Sequence, residues 1–482
     1  MAALGIAVLF AVPQQVAEAM THGPTPLTYV CALLGGVLLL ATTYRYGATI
    51  SRVFERASEQ FERVSPLTWI LLCAAIGTLL RVIWVRIYPA PLHSDGLHYY
   101  NLAVGLVEKH QYLSDRGEFA YWPPGYPFLL YVGLKLLGVH TWVVTTVNLV
   151  LFLISVPAAY LLGQFLAAGR VARLAALLLA VWPNYAASAG LGAKEMVLVP
   201  LLLLVFFLYF RARGASMGAQ IWLATAAGAI LGLASLAHPS FLLFPAVLLA
   251  YEWLAEGLPT GLLRLLLLLL GLGLAIAPWA IRNHARFGHW VLISDNGGDV
   301  FYRANNSRAT GGYVPPSGEG LPRNEVVRNK LGFQLGMQWI ASHPGGFLWL
   351  ASRKLTFLLG DDGEGVYESM KRGLDIGGWT YGLFRAIADA YWLLVWILIL
   401  ATMRRERSWA FAANPEVLAL MLSVLYLVPI HSMFETSARH HVPIIGSLAV
   451  LAAFCAVRSG PQGSQSAPAR REYVVAPPQK AC

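Results

Sequence analysis

The sequence predicts an all-α polytopic membrane protein. Of its 482 residues, 57% are hydrophobic and only 12% are charged. That charged share is about half the usual value for a soluble chain. Apolar runs nearly free of charge recur along the chain. With its flanks, each can cross or nearly cross about 30 Å of hydrocarbon. A spanning segment must satisfy its own backbone hydrogen bonds, so the bundle is helical.

The clear runs are 27–41, 67–80, 142–162, 196–210, 265–281, 391–403, 417–430 and 442–457. Three more, 175–185, 221–236 and 241–254, are shorter or broken by Gly and Pro. Together they make about eleven transmembrane helices. Residues 2–12 are apolar but short, and Gln14 and Gln15 follow. Ala17-Glu18-Ala19 resembles a small-x-small cleavage site, but the start lacks the basic residues of a signal peptide. An extra helix or hairpin there raises the number to about twelve or thirteen.

The net charge of +10 reads as topology and not as nucleic-acid binding. Short loops on one side hold Arg170, Arg173, Arg211, Arg213, Arg264, Arg404, Arg405 and Arg407. Those on the other side hold only Lys194 and Arg439. By the positive-inside rule the first set is cytoplasmic. Segments 88–140 and 282–380 then lie outside, in the periplasm or at the cell exterior. Stretches 128–137 and 347–359 become interfacial helices on that face. The expected location is the inner (cytoplasmic) membrane.

Five parts follow. Residues 1–65 are an N-terminal extension with one or two membrane segments. Residues 66–281 are a transmembrane core whose first outer loop covers about 88–140. Residues 282–380 are an outer loop subdomain, rich in turns such as Asn296-Gly297-Gly298, with β-rich stretches such as 290–293. Residues 381–458 are C-terminal spans, and 459–482 have the composition of a disordered cytoplasmic tail. Cys31, Cys73 and Cys455 lie in apolar runs and Cys482 is terminal, which gives neither a disulfide framework nor a metal spacing.

Chemistry-bearing residues gather at the outer ends. Tyr99, Leu102, Ala103 and Leu106 share one helical face, so the 91–110 stretch reads as an interfacial amphipathic helix. Asp95 begins it, near the positive end of the helix dipole, and should stay ionised. It could serve as a general base or simply cap the helix. Ala120-Tyr121-Trp122-Pro123-Pro124-Gly125-Tyr126-Pro127 is a stiff turn or an aromatic anchor. Lys194 and Glu195 occupy a very short loop at the membrane surface, as a salt bridge or as working groups. Arg282 stands where a helix leaves the membrane, suited to bind a phosphate or to snorkel. Arg439, His440 and His441 stand in the last outer turn, as phosphate contacts or anchors. His93, Asp95 and His98 are plausible metal ligands, but no motif spacing supports a metal site.

The order of these features resembles the GT-C membrane glycosyltransferases. The nearest branch is similar to bacterial relatives of protein O-mannosyltransferases and of lipid A aminoarabinose transferases. The resemblance covers about residues 66–458. It rests on the acidic first outer loop, the Pro123-Pro124-Gly125-Tyr126-Pro127 turn, the Trp279–Asn283 exit and the Asn305-Asn306 pair. It implies that Asp95 is the catalytic base. Gly96 replaces the second acid often found in the family, His98 stands where relatives place a basic residue, and Trp122 replaces a Lys of the aminoarabinose type.

The implied reaction moves a sugar from a polyprenyl-phosphate donor to a lipid, glycan or protein acceptor of the cell envelope, with inversion. Lys194, Arg282 and Arg439 are the candidates for holding the donor phosphate. His98, Tyr99, Trp122, Tyr126, Glu195, Asn283 and Asn305 are candidates for the substrate cavity. No cofactor and no metal ligands are assigned, and divalent-metal dependence is left open. A transporter or flippase of lipid-linked glycans is the alternative of another class. An O-antigen ligase-like transferase is the second enzyme alternative, and a structural envelope subunit the third. The charged motifs gather on one face without paired repeats, which argues against the transporter.

Overall fold

The computed structural model describes residues 26–167, 169–255, 257–314, 321–405 and 414–458. The apolar start at 2–12 and the tail after 459 lie outside these. Helix α1 spans Pro26–Phe61, α2 Pro66–Ile87, α3 Ser94–Lys109 and α4 Gly125–Leu137. The core continues with α5 (Trp142–Ala167), α6 (Gly169–Ala180), α7 (Pro183–Ala187), α8 (Glu195–Ala212) and α9 (Met217–Ala237). Next come α10 (Pro245–Ala255) and α11 (Leu258–Phe287). The outer segment holds α12 (Gly297–Ala304), α13 (Glu325–Ser342), α14 (Pro344–Leu359) and α15 (Glu364–Val366). Then α16 (Gly378–Arg405) and α17 (Pro415–Met433) precede a 3-10 turn (Ala438–Ile444) that runs into α18 (Ile445–Arg458).

Helix starts follow local chemistry. Ser65 Oγ accepts from the Thr68 amide at 3.2 Å, and Pro66 takes the first helical position of α2, where its missing N–H costs nothing. Asn324 and Asn414 cap α13 and α17 in the same way.

Among the described residues eight helices are long and apolar enough to cross a membrane, or nine if the bent pair α6–α7 counts as one span. About eleven were expected from the apolar runs, and the difference has local causes. The 175–185 run bends by 47° between α6 and α7, where Pro183 cannot continue the hydrogen-bond ladder. The 241–254 run divides into a 3-10 turn over Pro239–Leu243 and the short α10. The 27–41 run forms the first part of the much longer α1.

Among the described residues there is no strand, so the β-rich reading of 290–293 is corrected to irregular chain. Gly297 and Gly298 open α12 and do not form an open turn. A Cβ on Gly298 would stand 1.8 Å from the Asn329 carbonyl oxygen, so α12 can lie against α13 only with glycine there. This segment is thus helical, and α4 and α14 cover the 128–137 and 347–359 stretches, which were expected to be helices.

Small residues bring the spans together. A Cβ on Gly228 would meet the Leu268 carbonyl oxygen at 1.9 Å, and one on Gly271 the Thr225 oxygen at 2.0 Å. This is the close crossing of α9 and α11 that membrane helices reach through small residues. The most enclosed span is 438–457, with 89% of its apolar window buried. It forms the axis on which the last outer turn is mounted.

Contacts divide the charged loops into two groups. Arg170 approaches Glu59 and Glu62 at 3.6 and 3.7 Å, and Arg213 meets Glu416 at 3.0 Å. These residues all carry the inner assignment. The outer motifs meet one another at the opposite ends of the same helices.

Candidate active site

Three chain segments far apart in sequence enclose one cleft. The start of α3 supplies Asp95 and Tyr99, the 191–195 loop supplies Lys194 and Glu195, and the 3-10 turn supplies Arg439. A fourth wall comes from α15 and the turn after it, with Glu364 and Glu368.

Glycine sets the first contact. A Cβ on Gly192 would stand 2.5 Å from Gly96 Cα, and one on Gly96 would stand 3.0 Å from Gly192 Cα. The first turn of α3 therefore presses directly on the loop that carries Lys194. Asn148 braces that loop from behind by donating to the carbonyls of Ala189 and Leu191 at 3.1 and 2.8 Å. The Tyr126 hydroxyl donates to Asn148 Oδ1 at 3.0 Å.

The 3-10 turn is fixed by a buried network. His441 Nε2 lies 2.8 Å from Asp362 Oδ1, and its Nδ1 lies 2.6 Å from the Leu358 carbonyl. Trp182 and Asn184 donate to the same carboxylate at 2.5 and 2.6 Å, and Trp392 stacks on the imidazole. His441 is therefore a structural anchor that holds Arg439 in place. It makes no contact with the cleft.

Arg439 Nη2 donates to Asp95 Oδ2 at 2.9 Å. Burial pushes the Asp95 carboxyl up, but Arg439 and then Lys194 outweigh it, so the group lies below its ordinary value and is ionised. The helix-cap alternative is not what the geometry shows. The cap position falls on His93, and among the described residues no backbone amide donates to Asp95. Burial lowers Lys194, while Glu195 and Asp95 oppose that fall. Lys194 and Glu195 make no ion pair with each other among the described residues. Burial and neighbouring Glu368 push Glu364 up to about 7. At Glu368 burial is outweighed by His93, at 2.6 Å, and by Arg372, which hold it low.

The sequence-derived residues sort into four places. Asp95, Lys194, Arg439, Tyr99 and Glu195 converge on the cleft. His98 and Trp122 stack at 4.9 Å, and Tyr99 packs edge-on to Trp122 at 5.5 Å, as a layer behind it. Tyr126, Asn283 and Asn305 are buried and hydrogen-bonded to protein: Asn283 donates to the Val291 carbonyl, and Asn305 to those of Phe301 and Met433. Lys354 donates to Asn305 Oδ1 at 3.1 Å. Arg282 does not join the other two cations. It stacks on Trp279, donates to the Phe119 and Tyr112 carbonyls, and lines a separate apolar groove of about 540 Å³ with Leu236, Ala275 and Phe128.

Glu364, Glu368 and His93 were not assigned to the cavity from sequence. A signal was present: Asp361, Asp362, Glu364 and Glu368 crowd into eight positions directly after an apolar helix. Asp295 and Asp299 lie elsewhere, where the first outer loop docks on the long segment. Asp299 accepts from Tyr121 at 2.5 Å, and Glu325 accepts from the Phe119 and Ala120 amides.

Comparison with known proteins shows the fold. Residues 122–281 match the sequence family described as dolichyl-phosphate-mannose-protein mannosyltransferase. No curated protein sequence matches the chain significantly. The apo oligosaccharyltransferase of Archaeoglobus fulgidus superposes with a TM-score of 0.50 at 12% identity, over 80% of this chain and 50% of that one. The chain thus spans about half the length of that enzyme. ArnT from Cupriavidus metallidurans, bound to undecaprenyl phosphate, gives a TM-score of 0.42 at 15% identity over 82% of this chain and 78% of that one. The chain has the fold of the GT-C membrane glycosyltransferases.

Proposed function

We propose that the protein is a glycosyltransferase that moves a sugar from a polyprenyl-phosphate donor to an envelope lipid, glycan or protein at the outer face of the cytoplasmic membrane. The observation that carries this reading is the Asp95 carboxylate held against Arg439, with Lys194 in the same cleft. A base and two cations side by side are what a displacement at a sugar phosphate requires. The family matched over 122–281 is described by a lipid-phosphate sugar, which agrees.

Asp95 accepts the proton of the acceptor hydroxyl as its oxygen attacks the anomeric carbon. The bond from that carbon to the phosphate oxygen breaks, and polyprenyl phosphate leaves. A single displacement of this kind inverts the anomeric centre. The charge developing on the leaving phosphate is met by Lys194 and Arg439, Arg439 offering two parallel N–H donors. The apolar groove lined by Trp279 and Phe128 is the surface on the described chain that suits the lipid chain of such a donor.

A donor phosphate that engages Arg439 competes with Asp95 for the guanidinium. That exchange frees the carboxylate to act as a base. Purified protein in liposomes, supplied with envelope extract as acceptor, should transfer sugar from a polyprenyl-phosphate donor and not from nucleotide sugars. Efficient transfer from a nucleotide sugar with no lipid intermediate would refute the donor assignment.

A further inference from the structure

We propose that Glu364 is a specificity-determining residue that hydrogen-bonds hydroxyl groups of the sugar being transferred. The inference deepens the donor assignment above and rests on it. Glu364 opens α15, in the wall of the cleft that carries Asp95, Lys194 and Arg439. It is only 9% exposed, yet among the described residues its carboxylate has neither a hydrogen bond nor an ion pair. A buried carboxyl without partners is costly, and a ligand that brings hydroxyl groups to it removes that cost.

The chain on both sides of Glu364 is fixed. A Cβ on Gly363 would stand 2.3 Å from Arg385 Cδ, and one on Gly365 would stand 2.8 Å from the Asn184 carbonyl oxygen. The Gly365 amide donates to Asn184 Oδ1 at 2.6 Å. The other acids of this stretch are already occupied. Asp361 meets Arg385 at 2.7 Å, and Asp362 accepts from Trp182 and Asn184 and pairs with His441. Glu368 is taken by His93 and Arg372. Glu364 is the acid of the 361–368 stretch whose carboxyl is left for the cleft, and it is presented there by backbone that cannot shift. A polar group held in place before its ligand arrives is what selective recognition requires.

The surroundings of Glu364 indicate which part of the substrate it meets. Glu368, Arg439, Asp361 and Arg385 are the charged groups that face it, and burial together with Glu368 holds its carboxyl up at about 7. Near neutrality such a group both donates and accepts hydrogen bonds, as a sugar hydroxyl does. Glu364 and Arg439 stand near enough for each to act on the other's charge. A phosphate engaged by Arg439 therefore brings the group bonded to it, the sugar ring, towards the α15 wall. The acceptor hydroxyl belongs at Asp95, which takes its proton.

Full-length protein in detergent is titrated with polyprenyl phosphate and with its mannosyl, glucosyl and galactosyl esters, and binding is followed by calorimetry. For the ester that binds best, Glu364→Ala should weaken binding by about 10- to 100-fold, and Glu364→Gln by less, because an amide still donates and accepts. Affinity for the bare lipid phosphate should stay the same or rise, since a nearby negative charge is removed. A form of that ester lacking the one hydroxyl read by Glu364 should bind wild type and Glu364→Ala alike. If Glu364→Ala does not fold, a loss confined to the ester in Glu364→Gln decides the case. Equal losses for ester and bare lipid would show a general collapse of the cleft and overturn the proposal, as would undiminished ester binding in both variants. Wild-type protein that binds the bare lipid and no ester overturns the sugar contact alone. Wild-type protein that binds none of these lipids overturns the donor assignment, and the role of Glu364 with it.

Discussion

Asp95 and Arg439 hold each other in the resting cleft, and their removal should separate two effects. Burial alone would push the Asp95 carboxyl up, while Arg439 and Lys194 pull it below its ordinary value. A depressed carboxyl contributes stability above its unfolded pKa of about 3.9, and that contribution is lost as pH falls through the folded value. Arg439→Gln removes the stronger of the two cations. The acid limb of kcat/KM should then move to higher pH, since burial is left less opposed. Donor-lipid binding should also weaken by about 10- to 100-fold, as expected for a lost charge-assisted hydrogen bond. A pH–rate profile and a lipid-binding isotherm check the two effects. An acid limb that stays where it is would place Arg439 away from Asp95 in solution. The His93–Glu368 pair beside the cleft keeps the α15 wall attached and does not use Asp95.

At the scale of elements, the site depends on α3 pressing on the 191–195 loop through two facing glycines. Gly192→Ala introduces a methyl group 2.5 Å from Gly96 Cα, where only backbone stands in its way. The variant should lose about 1–3 kcal/mol of stability by overpacking. Turnover should fall further than stability alone explains, because Asp95 and Lys194 move apart. Thermal denaturation and transfer rate, measured on the same preparation, decide it. Normal turnover in the alanine variant would show that the α3 contact does not set the site. Legibility in the sequence followed element type. The amphipathic face of α3 was visible from Tyr99, Leu102 and Ala103, all of which are buried. The prolines marked breaks in the 175–185 and 241–254 runs, but the 47° angle at Pro183 was not legible, because an apolar run with a break gives no direction. The 290–293 stretch has β-forming residues, yet it finds no partner strand and stays irregular.

Over the whole molecule, the two groups of loop charges lie at opposite ends of the helices, and the cleft belongs to the group with few cations. Loop arginines predict which end is cytoplasmic. In a cysteine-free background, Ser342→Cys should react with an impermeant thiol reagent in spheroplasts, and Ser216→Cys should react only after the membrane is opened. Both serines are exposed. The reverse pattern would turn the cleft to the cytoplasm and remove the lipid-linked donor from the account. Convergence across hundreds of residues was the least legible property. Asp95, Lys194 and Arg439 could be picked as charged residues at helix ends, but nothing local showed that Arg282 would serve a different groove.

The central claim is that Asp95 is the base of a displacement at a lipid-linked sugar, and Asp95→Asn tests it most directly. Asn keeps the size of the side chain and can cap a helix as well as Asp, but it cannot accept a proton at working pH. General-base contributions run to about 100- to 10,000-fold in rate. Sugar transfer from a polyprenyl-phosphate donor should therefore fall by about 100-fold or more in Asp95→Asn. Expression, thermal stability and donor-lipid binding should stay near those of the wild type. Near-normal transfer by the Asn variant would contradict the account and leave Asp95 as the partner that holds Arg439.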